Sequence, residues 1–546
     1  MITGAKAMVR CLEEEGVTTI FGYPGAAIHH FYEQMSHSEV IKHVLARQEQ
    51  NAGHMASGYA RATGRPGVCV VTSGPGATNL ITAIATAYMD SIPIVAITGQ
   101  VRSDLLGRDV FQEVDTTGSV SPFIKHSYLI KNADDIPRVF REAFHIAATG
   151  RPGPVLIDVP VDIQVQPLSN FSYPETVNLR GYKPSSEGNA KQIKKVSETI
   201  RNAKKPLFCV GGGVFSAKAQ SLIRQLSEES GVPVVTTMMG VGALPTSHPM
   251  NIGMIGAFGH KTANKALNET DLLILAGARV GDRAITAPGK MEKKAKAIHI
   301  DIDPAEIGKN VSAAVPLVGD LYLVLDKLLG EHPKADCKEW RSGLSELATA
   351  EKDKVASPRS ETIGPKRFLR ELGSRMNDDA FVVGDVGQNQ IWTAKYLPVK
   401  DGRFMTSGGL GTMGYSLPAA IGIKKALPDK QTIIVCGDGS AQMMFNELST
   451  VASNGFDIKI VLFNNRTLGL VHELQGIEGY GNFGVSLPDT PDFLKLAGAY
   501  GIPSNRISKD EDMAFAIDEM LASSGPYLLE CVVSPEEGTK TIYEVI

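Results

Sequence analysis

The stretch TIIVCGDGSAQMMFNELSTVASNGFDIKIVLFNN, Thr432 to Asn465, decides the fold. TIIVC reads as a strand, GDG as a tight turn and KIVLF as the next strand, while Met444, Leu448 and Val451 at i, i+4 and i+7 predict the buried face of one intervening helix. A right-handed parallel crossover points both strands the same way. Asp438 and the pair Asn464 and Asn465 then emerge together at the carboxyl edge of a sheet, where ligands bind. One carboxylate and one amide oxygen beside a helix start make half a cage for a hard cation, and Mg²⁺ completes such a sphere with phosphate oxygens. A Mg-diphosphate is the expected ligand.

Outward from this unit the pattern repeats. VCVV, IPIVAIT, GPVLIDVP, PLFCVGGG, DLLILAGA, AIHIDID and FVVGDVG alternate with amphipathic helical stretches, the mark of parallel sheets covered on both faces. Gln164–Gln192, rich in Pro, Ser, Asn and Gly, and Lys334–Lys366, charged and with a helical pattern ending in SPRSETIGPKR, read as linkers. The expected fold class is α/β, with three doubly wound parallel-sheet domains at 1–165, 190–335 and 365–546. VCVVTSGPGATNLITAIATAYMDSIPIVAITGQ has the same layout as the opening stretch, which makes an internal duplication plausible.

The chain has 546 residues and a formal net charge of −4, with both signs spread along it, so nothing points to nucleic acid or an anionic membrane. Six cysteines without a C-x-x-C pair suggest reduced thiols in a cytosol. No apolar run approaches the ~18 residues that span a bilayer, and the first residues read as helix then strand rather than as a signal. A soluble cytoplasmic protein is expected. The twelve histidines show no metal-ligand spacing; His29, His30 and His54 read as structural or surface, with His54 the nearest to a cofactor.

GDG followed by NN resembles the diphosphate motif of thiamine-diphosphate enzymes. The resemblance implies that Asp438, the Asn465 side chain and the Thr467 carbonyl bind the metal, with Gly437, Gly439 and Ser440 at the diphosphate. Such an enzyme needs a carboxylate at N1′ of the aminopyrimidine. RQEQNAGHMASGYAR matches the family's HEQ-A-HMA-GYAR and places Glu49 there, in a loop after the strand-like VIKHVLA. FGYPGAAIHHFYE, VTSGPGATN, DSIPIVAITGQV, DVFQEVD, GRPGPVLIDVPVDIQ and SGGLGTMGYSLPAAIG resemble acetohydroxyacid synthase (acetolactate synthase) catalytic subunits over nearly the whole chain.

That resemblance implies an active site lined by Gly25, Phe111 and Gln112 with Lys125 nearby, and thiamine contacts from Pro24, Gly74, Asn79, Gly409 and Met413. Gly211, Gly212, Met254, Arg279, Asp301 and Asp320 would hold an FAD that does no net redox work. It further implies thiamine diphosphate and Mg²⁺ as cofactors, and pyruvate plus a second 2-keto acid as substrates. A homodimer or homotetramer with sites at the chain interface is implied, together with a small regulatory subunit in some members. Three positions depart from the pattern: Ala26 in PGAA, Leu474 in place of a Trp, and Gly281 in GARVGDR. They leave acceptor preference and FAD retention open. The nearest alternatives are glyoxylate carboligase, which has an apolar residue at the Glu49 position, and pyruvate oxidase, disfavoured by FQEVD and Lys125. A catalytically silent relative would be expected to lack Glu49, Asp438 or Asn465; all three are here.

Overall fold

In the computed structural model, residues 2–353 and 361–539 are described. They form three six-stranded sheets in which all strand pairs are parallel. The first comprises β1 (Thr19–Tyr23), β2 (Lys42–Leu45), β3 (Gly67–Val71), β4 (Ile94–Gln100), β5 (His126–Leu129) and β6 (Val155–Pro160), ordered β2-β1-β3-β4-β6-β5. The central sheet holds β7 (Pro206–Val210), β8 (Val234–Thr236), β9 (Asn251–Met254), β10 (Leu272–Ala276), β11 (Lys296–Asp301) and β12 (Val315–Val318), ordered β12-β11-β10-β7-β8-β9. The third holds β13 (Phe381–Gly384), β14 (Arg403–Met405), β15 (Thr432–Gly437), β16 (Ile458–Asn464), β17 (Ser504–Ile507) and β18 (Tyr527–Val532), ordered β14-β13-β15-β16-β18-β17.

The central strands are buried along their whole length, as continuous Val/Ile/Leu runs require when helices cover both faces. The first and third sheets share one strand order, and their order reverses between β1 and β3 and between β13 and β15. The central sheet has the dinucleotide-fold order instead, with its reversal between β7 and β10. These reversals open crevices at the carboxyl ends. Among the described residues no helix is long and apolar enough to cross a membrane.

The first and third sheets are locked together by two helices, Glu49–Thr63 and Ser416–Ala426. They touch backbone to backbone: a Cβ on Gly58 would stand 2.0 Å from the Ala419 carbonyl oxygen, and one on Gly422 would stand 1.9 Å from that of Met55. Ser57 and Tyr415 share a hydroxyl hydrogen bond of 2.9 Å, and Arg61 donates to the Thr406 carbonyl at 2.8 Å. One hydrophobic cluster, including Met55, Leu80, Tyr415, Ile421 and Leu462, runs through both units.

One expectation changes. The segment after Asp438 is not one helix but a short turn of helix (Asp438–Ala441), a 3-10 turn (Phe445–Glu447) and a helix (Leu448–Asn454). Met444, Leu448 and Val451 are fully buried as their spacing predicts. The break accompanies two sets of contacts: within the third unit the Met444 sulfur accepts from Ser416 and Leu417, and across to the first unit the buried Glu447 accepts from the Arg47 N–H and from Asn51. The helical pattern of the second linker forms a helix, Lys338–Asp353. Its Leu344 and Ala348 pack into the central core, and Glu351 caps the helix Lys261–Glu269 through two N–H groups. Residues 354–360 of that linker lie outside the described residues.

Because no volume exists for even a methyl group at the helix contact, Gly58→Ala and Gly422→Ala should each lower stability by about 1–3 kcal/mol or more. Gly281→Ala, where an added Cβ meets nothing within 4 Å, should stay within about 0.5 kcal/mol of the parent. Calorimetric or chemical unfolding of the three variants checks this.

Candidate active site

At the carboxyl edge of the first sheet, four loops converge. Glu49, half-buried, opens the helix that follows β2, and the Asn79 amide donates to its Oε2 at 3.0 Å. A Cβ on Gly76 would lie 3.5 Å from Glu49 Oε1, so the turn after β3 flanks the carboxylate. Pro24 and Gly25 follow β1; a Cβ on Gly25 would stand 2.6 Å from the Thr72 side chain, whose hydroxyl accepts the Ala27 N–H at 3.1 Å. Gly74, at φ +57°, lies under Gln112: a Cβ there would approach the Gln112 Cβ to 2.8 Å. Gln112 itself has φ +60°, and Phe111 beside it is 86% exposed. Ala26 is exposed.

Lys125 is not at this site within the chain. It precedes β5 and therefore lies at the amino edge of the same sheet, with its N–H bonded to the Pro154 carbonyl at 3.0 Å. Its ammonium donates to the carbonyls of Ile146 and Thr149, at the end of the helix Ile136–Ala148, and to the Tyr182 hydroxyl. Burial pulls its pKa down to about 8. Lys125 is thus a helix C-cap cation.

On the third sheet, Asp438 follows β15 at the order reversal. Its Oδ1 accepts the Gly439 N–H at 3.0 Å, but its buried Oδ2 has no hydrogen-bond partner. Burial pushes this carboxyl up to about 6. Of the two asparagines, Asn464 turns inward to Glu530 at 2.8 Å, which leaves Asn465 beside the loop. The Asn465 amide donates to Gln388 at 3.2 Å while its oxygen accepts the Thr467 N–H at 3.2 Å. Ser440 Oγ accepts from the Gly437 N–H, closing the turn. A Cβ on Gly439 would lie 3.6 Å from the Met413 methyl, so Met413 stands over the motif. The Gly409 N–H is taken by Asp90 of the first unit at 2.7 Å.

Among the described residues no three His, Cys, Asp or Glu side chains gather at a metal site. The orphaned Asp438 oxygen is instead a lone buried carboxylate oxygen on the same sheet edge as Asn465. That donor set fits a divalent cation whose remaining ligands are phosphate oxygens.

The six residues expected to hold FAD lie at the carboxyl edge of the central sheet. Gly211 and Gly212 follow β7, Met254 ends β9, Arg279 follows β10, Asp301 ends β11 and Asp320 follows β12. The loops after β7 and β10 are hydrogen-bonded to one another, Gly211 to Ala276 at 3.1 Å and Gly213 to Gly277 at 3.0 Å. Asp301 is buried and its carboxyl is pushed up to about 6, whereas Asp320 caps the helix Leu321–Gly330. An open crevice flanked by glycine turns suits a dinucleotide.

Sequence reading missed Asp385. It directly follows β13, is buried and accepts the N–H groups of Val386, Gly414 and Ser416, so it shapes the Met413 loop. The signal was present in FVVGDVG, a charge between glycines at the end of an apolar strand. His54 is fully buried against Tyr415, and burial lowers its pKa to about 3; it is structural.

Three family models match: "Thiamine pyrophosphate enzyme, N-terminal TPP binding domain" at residues 2–119, the central domain of the same enzymes at 193–328, and their C-terminal TPP binding domain at 385–531. Fold and site thus define a thiamine-diphosphate-dependent enzyme. The chain is 44% identical to a probable acetolactate synthase large subunit of Methanocaldococcus jannaschii, covering 98% of this chain and 92% of the relative. It is 45% identical to the acetolactate synthase large subunit of Corynebacterium glutamicum (95% and 84%) and 41% identical to the acetolactate synthase isozyme 3 large subunit of Escherichia coli (100% and 96%). The chain belongs to the acetolactate synthase large-subunit family.

The Asp438 shift gives a signed pH dependence. A carboxyl raised from 3.8 to about 6 adds stability to the metal-free fold when protonated, and that contribution is lost as pH rises through 6. Mg²⁺ with thiamine diphosphate should therefore raise the melting temperature above pH 6 and lose this effect as pH falls below it. Asp438→Asn should remove both the metal-dependent gain and its pH dependence in thermal scans.

Proposed function

We propose that this chain decarboxylates pyruvate and joins the two-carbon unit to a second 2-keto acid, giving 2-acetolactate from pyruvate and 2-aceto-2-hydroxybutyrate from 2-ketobutyrate. Branched-chain amino-acid biosynthesis is the corresponding role, in the cytoplasm. The observation that carries the reading is Glu49, held by Asn79 beside the Gly74 turn on which Gln112 rests.

When bound, thiamine diphosphate supplies a thiazolium carbon that accepts the electrons released by decarboxylation. The chain's own residues do the rest. Glu49 holds the proton at N1′ of the pyrimidine, and Asn79 fixes the carboxylate that shares it. Asp438, Asn465 and the Thr467 carbonyl hold Mg²⁺, with Gly437, Gly439 and Ser440 along the diphosphate and Met413 against the thiamine rings. Pro24, Gly25, Phe111 and Gln112 border the substrates and exclude water. Gly211, Gly212, Met254, Arg279, Asp301 and Asp320 hold FAD, which transfers no net electrons here. The division into pyrimidine, flavin and diphosphate domains at 1–165, 190–335 and 365–546 is part of this proposal.

A homodimer is the smallest assembly proposed, with the first domain of one chain facing the third domain of another; a small regulatory subunit is a further partner. Exposed apolar side chains at both edges support this: Tyr23 and Phe111 on the first, and Leu410, Met443, Leu474 and Phe483 on the third.

Purified protein with thiamine diphosphate, Mg²⁺, FAD and pyruvate should form acetolactate, identified by mass spectrometry, and a 5-deaza analogue should replace FAD. Oxygen uptake matching pyruvate turnover would instead mark an oxidase. Glu49→Gln keeps the shape but not the acid, so exchange of the thiazolium C2 proton, followed by NMR, should slow by on the order of 10². Thiamine diphosphate binding should survive.

A further inference from the structure

The loop between β4 and the helix Thr116–Val120 is braced at two levels. At its base, the Gln100 side chain accepts the Val101 N–H at 2.9 Å and donates to the Val114 carbonyl at 2.8 Å, so one amide ties both ends of the loop together. That amide is itself fixed by the buried Asp158 at 2.9 Å, which also accepts from Thr98 at 2.7 Å. At its tip, the Glu113 carboxylate accepts the N–H groups of Gly107 and Val110. The amides of Arg108 and Asp109 face it as well, and together the four hold its carboxyl below the usual range.

This main-chain ring is not one the backbone adopts readily. Gly107, Asp109 and Gln112 all have positive φ, at 77°, 53° and 60°, and two of the three are not glycine. Left-handed conformation is costly for side-chain-bearing residues and persists only where the surroundings enforce it. Successive amides pointing inward make an anion cradle, and here the anion comes from the loop itself. Phe111 and Gln112 lie in sequence between the cradle and its own anion, so the placement of Gln112 over Gly74 follows from the same contact.

We infer that Glu113 is a positioning residue: its carboxylate, bound by the amides of residues 107–110, holds Phe111 and Gln112 over the reaction centre and keeps water from it. The inference rests on the proposed function for its consequence, but the cradle can be read without it. With the loop loosened, decarboxylation still proceeds, but water reaches the site before the second keto acid. Pyruvate plus a proton then leaves as CO₂ and acetaldehyde, a C–H bond forming where the C–C bond to the acceptor would have formed.

Glu113→Gln keeps the size and removes the charge, and Glu113→Asp keeps the charge and shortens the reach. Hydrogen exchange on the full chain, with and without cofactors, reads the amides of residues 107–110. Product analysis on the cofactor-loaded enzyme reads the ratio of acetaldehyde to acetolactate. Both variants should exchange faster at these amides and raise that ratio by on the order of 10-fold, with CO₂ release within about twofold of the parent. Unchanged exchange overturns the cradle. Faster exchange with an unchanged ratio, or a changed ratio without faster exchange, overturns the positioning role. A parent enzyme that makes no acetolactate would overturn the proposed function instead, while exchange in the two variants would still decide the cradle.

Discussion

Two helices that approach until their backbones touch set the frame for everything else in this molecule. Gly58 and Gly422 leave no room for a side chain between the helices Glu49–Thr63 and Ser416–Ala426. Contact at that distance couples the two sheets directly, and the bonds of Glu447 to Arg47 and Asn51 and of Gly409 to Asp90 add to it. The first of these helices begins at Glu49, so the same rigid element that locks the domains also aims the carboxylate. The second follows the Met413 loop, whose backbone is gathered onto Asp385. Side chains carried on packed helices are held more tightly than side chains on free loops, which is what proton transfer over hydrogen-bond distances requires.

Buried carboxylates are treated in two ways, and the difference separates support from chemistry. Asp385 receives three backbone N–H groups, and Glu447 is bonded to Arg47, Asn51 and Thr450. Both are satisfied and shape the loops around them. Asp438 has one oxygen bonded and one left bare. A buried unpaired charge costs far more than a paired one, and such a cost persists in a fold where a ligand removes it. The bare oxygen lies on the motif for which metal and diphosphate chemistry was expected.

Much of this was legible in the chain. Uninterrupted apolar strands such as VCVV and TIIVC predicted parallel sheets because both of their faces are covered. Asp438 and Asn465 were found together because residues just past parallel strands share an edge. The same rule, applied to Lys125, places it at the opposite edge of its own sheet, because it directly precedes a strand. Glu49 was assigned from resemblance alone, since a lone glutamate in a loop carries no such signal. Glu447 and the break in the helix after Asp438 were not legible, because both answer to partners some 400 residues away in sequence, Arg47 and Asn51. A period of 3.6 located the buried face there but not the interruption, since burial is decided by face and continuity by tertiary contact.

The exposed apolar side chains follow from the same economy. The helix Gly469–Ile477 has no buried residue, yet it carries Val471, Leu474 and Ile477 outward. Phe111 and Phe483 stand almost fully in solvent on the first and third units. A chain that buries its strands so completely does not lack places to hide such groups. Under the proposed function, apolar surface left at the carboxyl edges is surface for contact with a second chain, because those edges also carry the polar groups that face a ligand. In the proposed dimer, the two requirements are met at once: covering these side chains removes water from the crevices, and a dry crevice is what strengthens the hydrogen bonds of Glu49 and Asp438. Assembly and catalysis then depend on one surface, so a change that exposes it costs both.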